Sequence, residues 1–77
     1  MMRDTPRTFV GPVVFLLELP VSDDVATALR AEVERLSGIS SCWVDPAAGT
    51  VVVTARSAAD RTAVVAVIDR LGCRFRA

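Results

Sequence analysis

The sequence predicts an α+β domain in which two helices cover one face of a four-stranded antiparallel sheet. Three observations predict it. Two stretches repeat apolar residues at spacings of three and four, as amphipathic helices do: Val25, Leu29, Val33 and Leu36, then Val64, Val67, Ile68 and Leu71. Between them, Ile39–Asp45 and Thr50–Ala55 read as strands joined by the turn Asp45-Pro46-Ala47-Ala48-Gly49, where Pro starts the turn and Gly accepts positive φ. Ahead of both, Val13–Leu19 is β-branched and aromatic and is closed by Pro20, the mark of a further strand.

Taken in order, residues 1–11 carry no sustained period and read as a flexible N-terminal tail, with Gly11-Pro12 punctuating the start of a domain over 12–77. In the first strand, side chains alternate faces, so Val13, Phe15 and Leu17 share one side and Val14, Leu16 and Glu18 the other. Ser22 is a good N-cap for the first helix, and Asp23 and Asp24 sit in its first turn, where the helix dipole favours negative charge. Ser37-Gly38 ends that helix, Gly supplying a left-handed cap. Ser57, with Asp60 three residues later, resembles a capping box and opens the second helix, which Gly72 ends. Cys73–Ala77 is left to add a short final strand. The order is β-α-β-β-α-β. Two right-handed crossovers joined by a hairpin make it a ferredoxin-like plait.

Composition narrows what such a domain does. The 77 residues allow one core, and 52% of them are apolar, which suits a globular chain. Nine Arg balance nine acidic residues, with no Lys, so the basic excess that draws proteins onto nucleic acid is missing. There is no His, hence no conventional base for a Ser or Cys nucleophile. No paired carboxylates flank a pocket, and the four glycines are scattered as caps and turns. The expectation is a protein that is not an enzyme. Two cysteines, Cys42 and Cys73, are too few for a disulfide framework. The seven-residue run Val13–Leu19 is far short of the ~20 residues that span a bilayer, and no leader pattern is visible, so a cytoplasmic chain without membrane insertion is expected.

Several of these positions carry a resemblance. Leu36-Ser37-Gly38-Ile39, then Cys42, Val44 and Asp45, then Gly49-Thr50-Val51-Val52-Val53, then Ile68-Asp69-Arg70-Leu71-Gly72 follow the spacing of Leu-x-Gly-Val, Val-x-Val-Asp, Gly-x-Val-x-Val and Ile-x-x-x-Gly-Tyr. In this the chain resembles the heavy-metal-associated domain, the fold of copper chaperones and of N-terminal modules of metal-transporting ATPases. The resemblance runs over about Val13 to Ala77 and rests on scaffold positions. The family's metal motif, Gly-Met-x-Cys-x-x-Cys, falls on Leu19-Pro20 and on Ser22 and Val25, so every one of its functional positions departs from the pattern. Two thiolates at that corner hold a soft ion; a hydroxyl and a branched alkane do not. The chain reads as a degenerate member.

The resemblance also sets where the remaining candidates lie. Cys73 stands where the family usually has Tyr or Lys, overlooking the metal corner, and so should face Ser22. One reading is a relocated ligand for Cu(I) or Zn(II), completed across a homodimer; the other is a small apolar residue filling space. Cys42 falls on a buried Val position and reads as an inert core thiol. Asp23 and Asp24 are read as dipole partners rather than ligands. Parity sends Trp43 to the sheet face without helices, with Val14, Leu16 and Val52, while Arg74 and Arg76 stand around them. An apolar cluster there marks a surface for a protein partner or for self-association, with Trp and Arg as hot-spot residues; scattered exposed apolar residues on strands are the plainer account.

Three functions follow. The first is a non-catalytic adaptor or regulatory module acting through protein–protein contact, the resemblance suggesting a metal-transporting P-type ATPase as partner. The second is a soft-metal chaperone or sensor using Cys73. The third is a small-molecule regulatory domain of the amino-acid-binding plait type, which shares the element order but whose usual Gly in the first β-α loop is replaced here by Pro20-Val21-Ser22.

Overall fold

A computed structural model describes residues 8–76. Five elements follow one another: β1 (Thr8–Leu16), α1 (Asp23–Glu34), β2 (Ile39–Asp45), β3 (Thr50–Asp60) and α2 (Arg61–Arg70). The strands form an antiparallel sheet in the order β1-β3-β2, with both helices on one face. The expected fourth strand is reduced to a single bridge, Leu17 to Phe75, flanked by hydrogen bonds from Glu18 N to Arg74 O (2.7 Å) and from Arg76 N to Leu16 O (2.8 Å). Pro20 lies just beyond the last of these bonds and, lacking an N–H, cannot extend the ladder further. The C-terminal segment therefore borders β1, as the plait topology requires, without becoming a full strand.

Two boundaries differ from expectation for one shared reason. The strand β1 begins at Thr8 rather than Val13, so residues 8–11 belong to the sheet and not to a tail; the rest of that expected tail, 1–7, lies outside the described residues. The strand β3 correspondingly runs on to Asp60, because Thr8 pairs with Asp60 and Phe9 with Ala59 beyond an irregularity in register. Ser57 is thus a strand residue, and the N-cap of α2 is Asp60, whose Oδ1 accepts from Thr62 N at 2.8 Å. Backbone pairing with a neighbour overrides a local capping signal.

The expected alternation does hold. Phe15 of β1 and Leu17 just beyond it, Ile39 and Cys42 of β2, and Val51, Val53 and Ala55 of β3 point inward and meet Leu29 and Val33 of α1 and Val64, Val67 and Ile68 of α2 in one cluster. In β2 a register shift between Ile39 and Ser41 lets both Ile39 and Cys42 face the core, which is why its sequence alternates imperfectly. Arg70 of α2 reaches Glu32 of α1 in an exposed ion pair. Such pairs contribute little, so the apolar layer between sheet and helices holds the fold.

The hairpin turn ties this layer to the β1–α1 corner. Asp45 Oδ1 accepts from Ala47 N (3.1 Å), and Gly49 N donates to Asp45 O (2.8 Å), closing the turn. Gly49 has φ +69°, and a Cβ there would lie 2.6 Å from Leu17 O, because Leu17 N donates to Gly49 O across 2.7 Å. A side chain has neither the conformation nor the room. Replacing Gly49 by Ala is expected to cost about 1–3 kcal/mol of stability, read as a lower urea midpoint; an unchanged midpoint would show that the corner yields without cost.

Candidate functional site

Two surfaces hold the candidate residues. At one end of the domain, the loop after β1 meets the exit of α2. There a cleft of about 350 Å³ is lined by Leu19, Pro20, Val25 and Leu71, with Ser22 and Cys73 among its polar groups. The structure thus brings Ser22, Val25 and Cys73 together around one corner. Ser22 caps α1: its backbone is extended and its Oγ accepts from Val25 N at 3.1 Å. Asp23 and Asp24 follow in the first turn, exposed, at the positive end of the helix dipole.

The donor set at this corner can be tested against a soft ion. Cu(I) and Zn(II) favour thiolates, and the cleft offers one, Cys73. The Ser22 hydroxyl is already an acceptor for the helix, and Val25 has no donor. Among the described residues no three His, Cys, Asp or Glu side chains come together as a metal-holding group. One chain alone does not fit the ion; a second soft donor has to come from another molecule. Cys73 is half-buried, and burial pushes its thiol pKa up, so binding a metal there means displacing a proton at neutral pH.

Cys42 is a different case. It is buried under α1, with its thiol pushed up to about 11 by burial, the nearby Glu34 carboxylate adding to the effect and Arg30 opposing it. Its backbone N–H donates to Glu34 Oε2 at 3.2 Å, and Arg30 Nε lies 3.5 Å from the same oxygen. Both cysteines are free. They belong to opposite margins of the sheet, Cys42 to the edge strand β2 and Cys73 to the segment beside β1.

The second surface is the sheet face away from the helices. Cross-strand register places Val14, Val52 and Trp43 side by side, since Val14 pairs with Val52 and Trp43 with Val52. The next row is Leu16, Thr50 and Asp45, and the row before it Pro12, Thr54 and Ser41. Val10 is 68% exposed, Val14 and Trp43 56% each, and Leu16 45%. Arg74 and Arg76 flank the bridge residue Phe75, whose ring packs inward on Phe15 with centroids 5.9 Å apart, so alternation sends the two arginines to the open face. Arg76 also donates to Ala48 O at 2.9 Å across the end of β1.

Three features were not visible from the sequence. Val10 extends the apolar face, but only because β1 starts early. The carboxylate of Glu34 lies on the edge of β2, a contact between residues eight apart that depends on how α1 sits over that strand. Trp43 also borders a groove of about 310 Å³ between α1 and β2, with Ala26, Val44 and Pro46. No helix among the described residues is long and apolar enough to cross a membrane.

Fold and corner together define a small α+β module with the heavy-metal-associated type of fold, without its Cys-x-x-Cys pair. Solved structures agree on the fold. A CopZ metallochaperone superposes with a TM-score of 0.75 at 17% identity, covering 84% of this chain and 98% of that one. A protein from a structure titled for crosstalk between Cu(I) and Zn(II) homeostasis gives 0.71 at 20%, covering 84% and 94%. A copper form of a CopA variant from Bacillus subtilis, solved in solution, gives 0.62 at 19%, covering 83% and 86%. By sequence, the chain matches no family model and no curated protein.

The two thiols should behave differently toward a small thiol reagent. Cys73 is expected to react in the folded protein, and Cys42 only on unfolding, so a titration should show one fast and one slow equivalent. Two equally fast thiols would contradict the burial of Cys42, and none would contradict the opening of the cleft onto Cys73.

Proposed function

We propose that this chain is a non-catalytic binding module that engages a protein partner through its open sheet face. The observation that carries the reading is the row Val14–Val52–Trp43, continued by Val10 and Leu16, standing uncovered on a face that two-layer domains usually leave polar. Apolar clusters of this kind mark interaction surfaces, and a half-exposed Trp beside Arg side chains is the composition of interface hot spots. The cluster is ringed by polar groups, namely Thr50, Thr54, Glu18, Arg74 and Arg76, as an interface core is by its rim. The likeness to heavy-metal-associated domains suggests a role beside metal transport, with a metal-transporting P-type ATPase as one partner class. The non-catalytic part of the reading is supported by the sequence, which has no His to serve as a base for a Ser or Cys nucleophile.

A second reading is favoured by one observation, the position of Cys73 in the cleft with Ser22 and Val25. It makes the chain a carrier or sensor of a soft ion, with Cys73 of two molecules supplying the thiolates. The ion would then be cargo, held only between chains.

Two experiments test these readings. Trp43→Ala and Leu16→Glu should each weaken partner capture about tenfold or more without loss of fold; if both variants leave every association of the protein unchanged, the face is not the working surface. For the second reading, Cu(I) titration under reducing conditions should give stoichiometric binding that Cys73→Ser abolishes. Binding that survives Cys73→Ser, or none in either protein, would remove Cys73 from the account.

A further inference from the structure

We infer that the partner of the open face is a second copy of this chain, stacked sheet on sheet along a two-fold axis parallel to β3, with Trp43 of each copy seated on Val14 of the other. The inference rests on the reading of this face as a binding surface and adds its occupant and pairing.

The sheet has three ways to meet another copy, and two are obstructed. At the β2 edge, the Cys42 N–H points outward and is taken by Glu34 Oε2 at 3.2 Å, a carboxylate held by Arg30. At the β1 edge, the segment around Phe75 occupies Leu16 O and Glu18 N. Further along the same edge, the outward-directed position falls on Pro12, which has no N–H to offer. Charged side chains and Pro on strand edges are how sheets avoid pairing edge to edge. The face has no such protection. Its central row has no charged group, and the chain carries no net charge to hold two copies apart.

The face is also self-complementary. Its central row runs from a small side chain, Val14, through Val52 on the middle strand, to a large one, Trp43. A two-fold axis along β3 leaves Val52 facing Val52 and exchanges the ends of the row, so large meets small twice over. That is the isologous pattern, in which residue i meets j and j meets i. The same operation carries Asp45 of one copy above Leu16 of the other, beside Arg76, so acid approaches base. Strands of the two sheets stay roughly aligned, the commoner packing of sheet on sheet, at a separation of about 10 Å.

Size sets the strength. Three strands and the C-terminal segment at ~4.8 Å each span roughly 19 Å, and the shared ladder is roughly 20–24 Å long, giving each copy a footprint of about 380–460 Å². A standard interface takes about 800 Å² from each partner, so this dimer belongs with the weak, concentration-dependent ones.

The test uses charge. Val14 and Trp43 are each 56% exposed, so substitutions there leave the core untouched, which circular dichroism will confirm. Sedimentation of the parent protein should show a monomer–dimer equilibrium, and dilution should shift emission of the single Trp to the red. Val14→Glu and Trp43→Lys should each raise the dissociation constant about tenfold or more, because each variant alone puts its charge against an apolar side chain twice, the carboxylate against the electron-rich Trp ring and the ammonium against Val14. Mixed one to one, the two variants should dimerise again: the introduced acid and base then meet once, and the native Trp43–Val14 contact is kept once. A parent protein that stays monomeric into the millimolar range overturns the inference, while loss of another captured protein with Trp43→Ala would leave the binding face standing. Dimerisation without rescue on mixing overturns the pairing, as it would if Trp43 met Trp43. If neither self-association nor any partner depends on Trp43, both the occupant and the face are wrong.

Discussion

The central strand β3 is the constraint on which the rest of this domain depends. Val51 and Val53 are fully buried, and their strand hydrogen-bonds β1 on one side and β2 on the other. A one-residue slip of β3 would turn both valines out of the core and bring Val52 into it. Register is secured by the turn at its start, where Asp45 gathers the turn amides and Gly49 meets Leu17 too closely for a side chain. Fixing β3 also fixes what lies outside. Val52 faces away from the helices because its neighbours face toward them, and Val14 and Trp43 are carried alongside by the same ladder.

Much of this was legible in the chain because it depends on short-range chemistry. The stripes at three- and four-residue spacing, the Ser22 cap, the Asp-Pro-Ala-Ala-Gly turn and the inward and outward parity of β1 each need only residues within a few positions of one another. The departures are all long-range. Thr8 and Phe9 join the sheet because Asp60 and Ala59, some fifty residues on, are there to pair with them. Asp60 rather than Ser57 caps α2 for the same reason. The fourth strand shrinks to one bridge, Leu17 to Phe75, a pairing between residues far apart in the chain. At the corner, the replacement of two thiols by Ser22 and Val25 was readable directly, and the structure groups both with Cys73. The carboxylate of Glu34 on the edge of β2 was not, because it depends on how α1 packs.

The corner and the open face differ in what they offer a partner. In a domain whose corner holds a soft ion, the ion and its ligands give the surface a reason to be recognised. Here the same corner presents a capped helix, a small cleft and one thiol raised by burial. Such a thiol is a poorer nucleophile and a poorer ligand at neutral pH than an ordinary one, since both roles require the thiolate. On the opposite layer Val10, Val14, Leu16 and Trp43 are solvent-facing. Leaving them there is unfavourable by about 25 cal/mol for each Å² exposed. Among the described residues nothing covers them, because both helices lie on the other side of the sheet.

That imbalance links association to stability. A domain of this length buries only about 60% of its unfolded surface, so its margin is narrow. Any partner that binds the folded chain and not the unfolded one adds to that margin by mass action, in proportion to the logarithm of its concentration over its dissociation constant. Covering the open face would turn the most exposed apolar side chains into part of a second core, with β3 now buried on both sides. The guarded edges complete the logic. Glu34 at one margin, and Pro12 with the C-terminal segment at the other, block the open-ended route of strand addition. The closed route, one face against one other face, is left open. A surface that admits a single partner and stops can expose hydrophobic area without inviting a fibre.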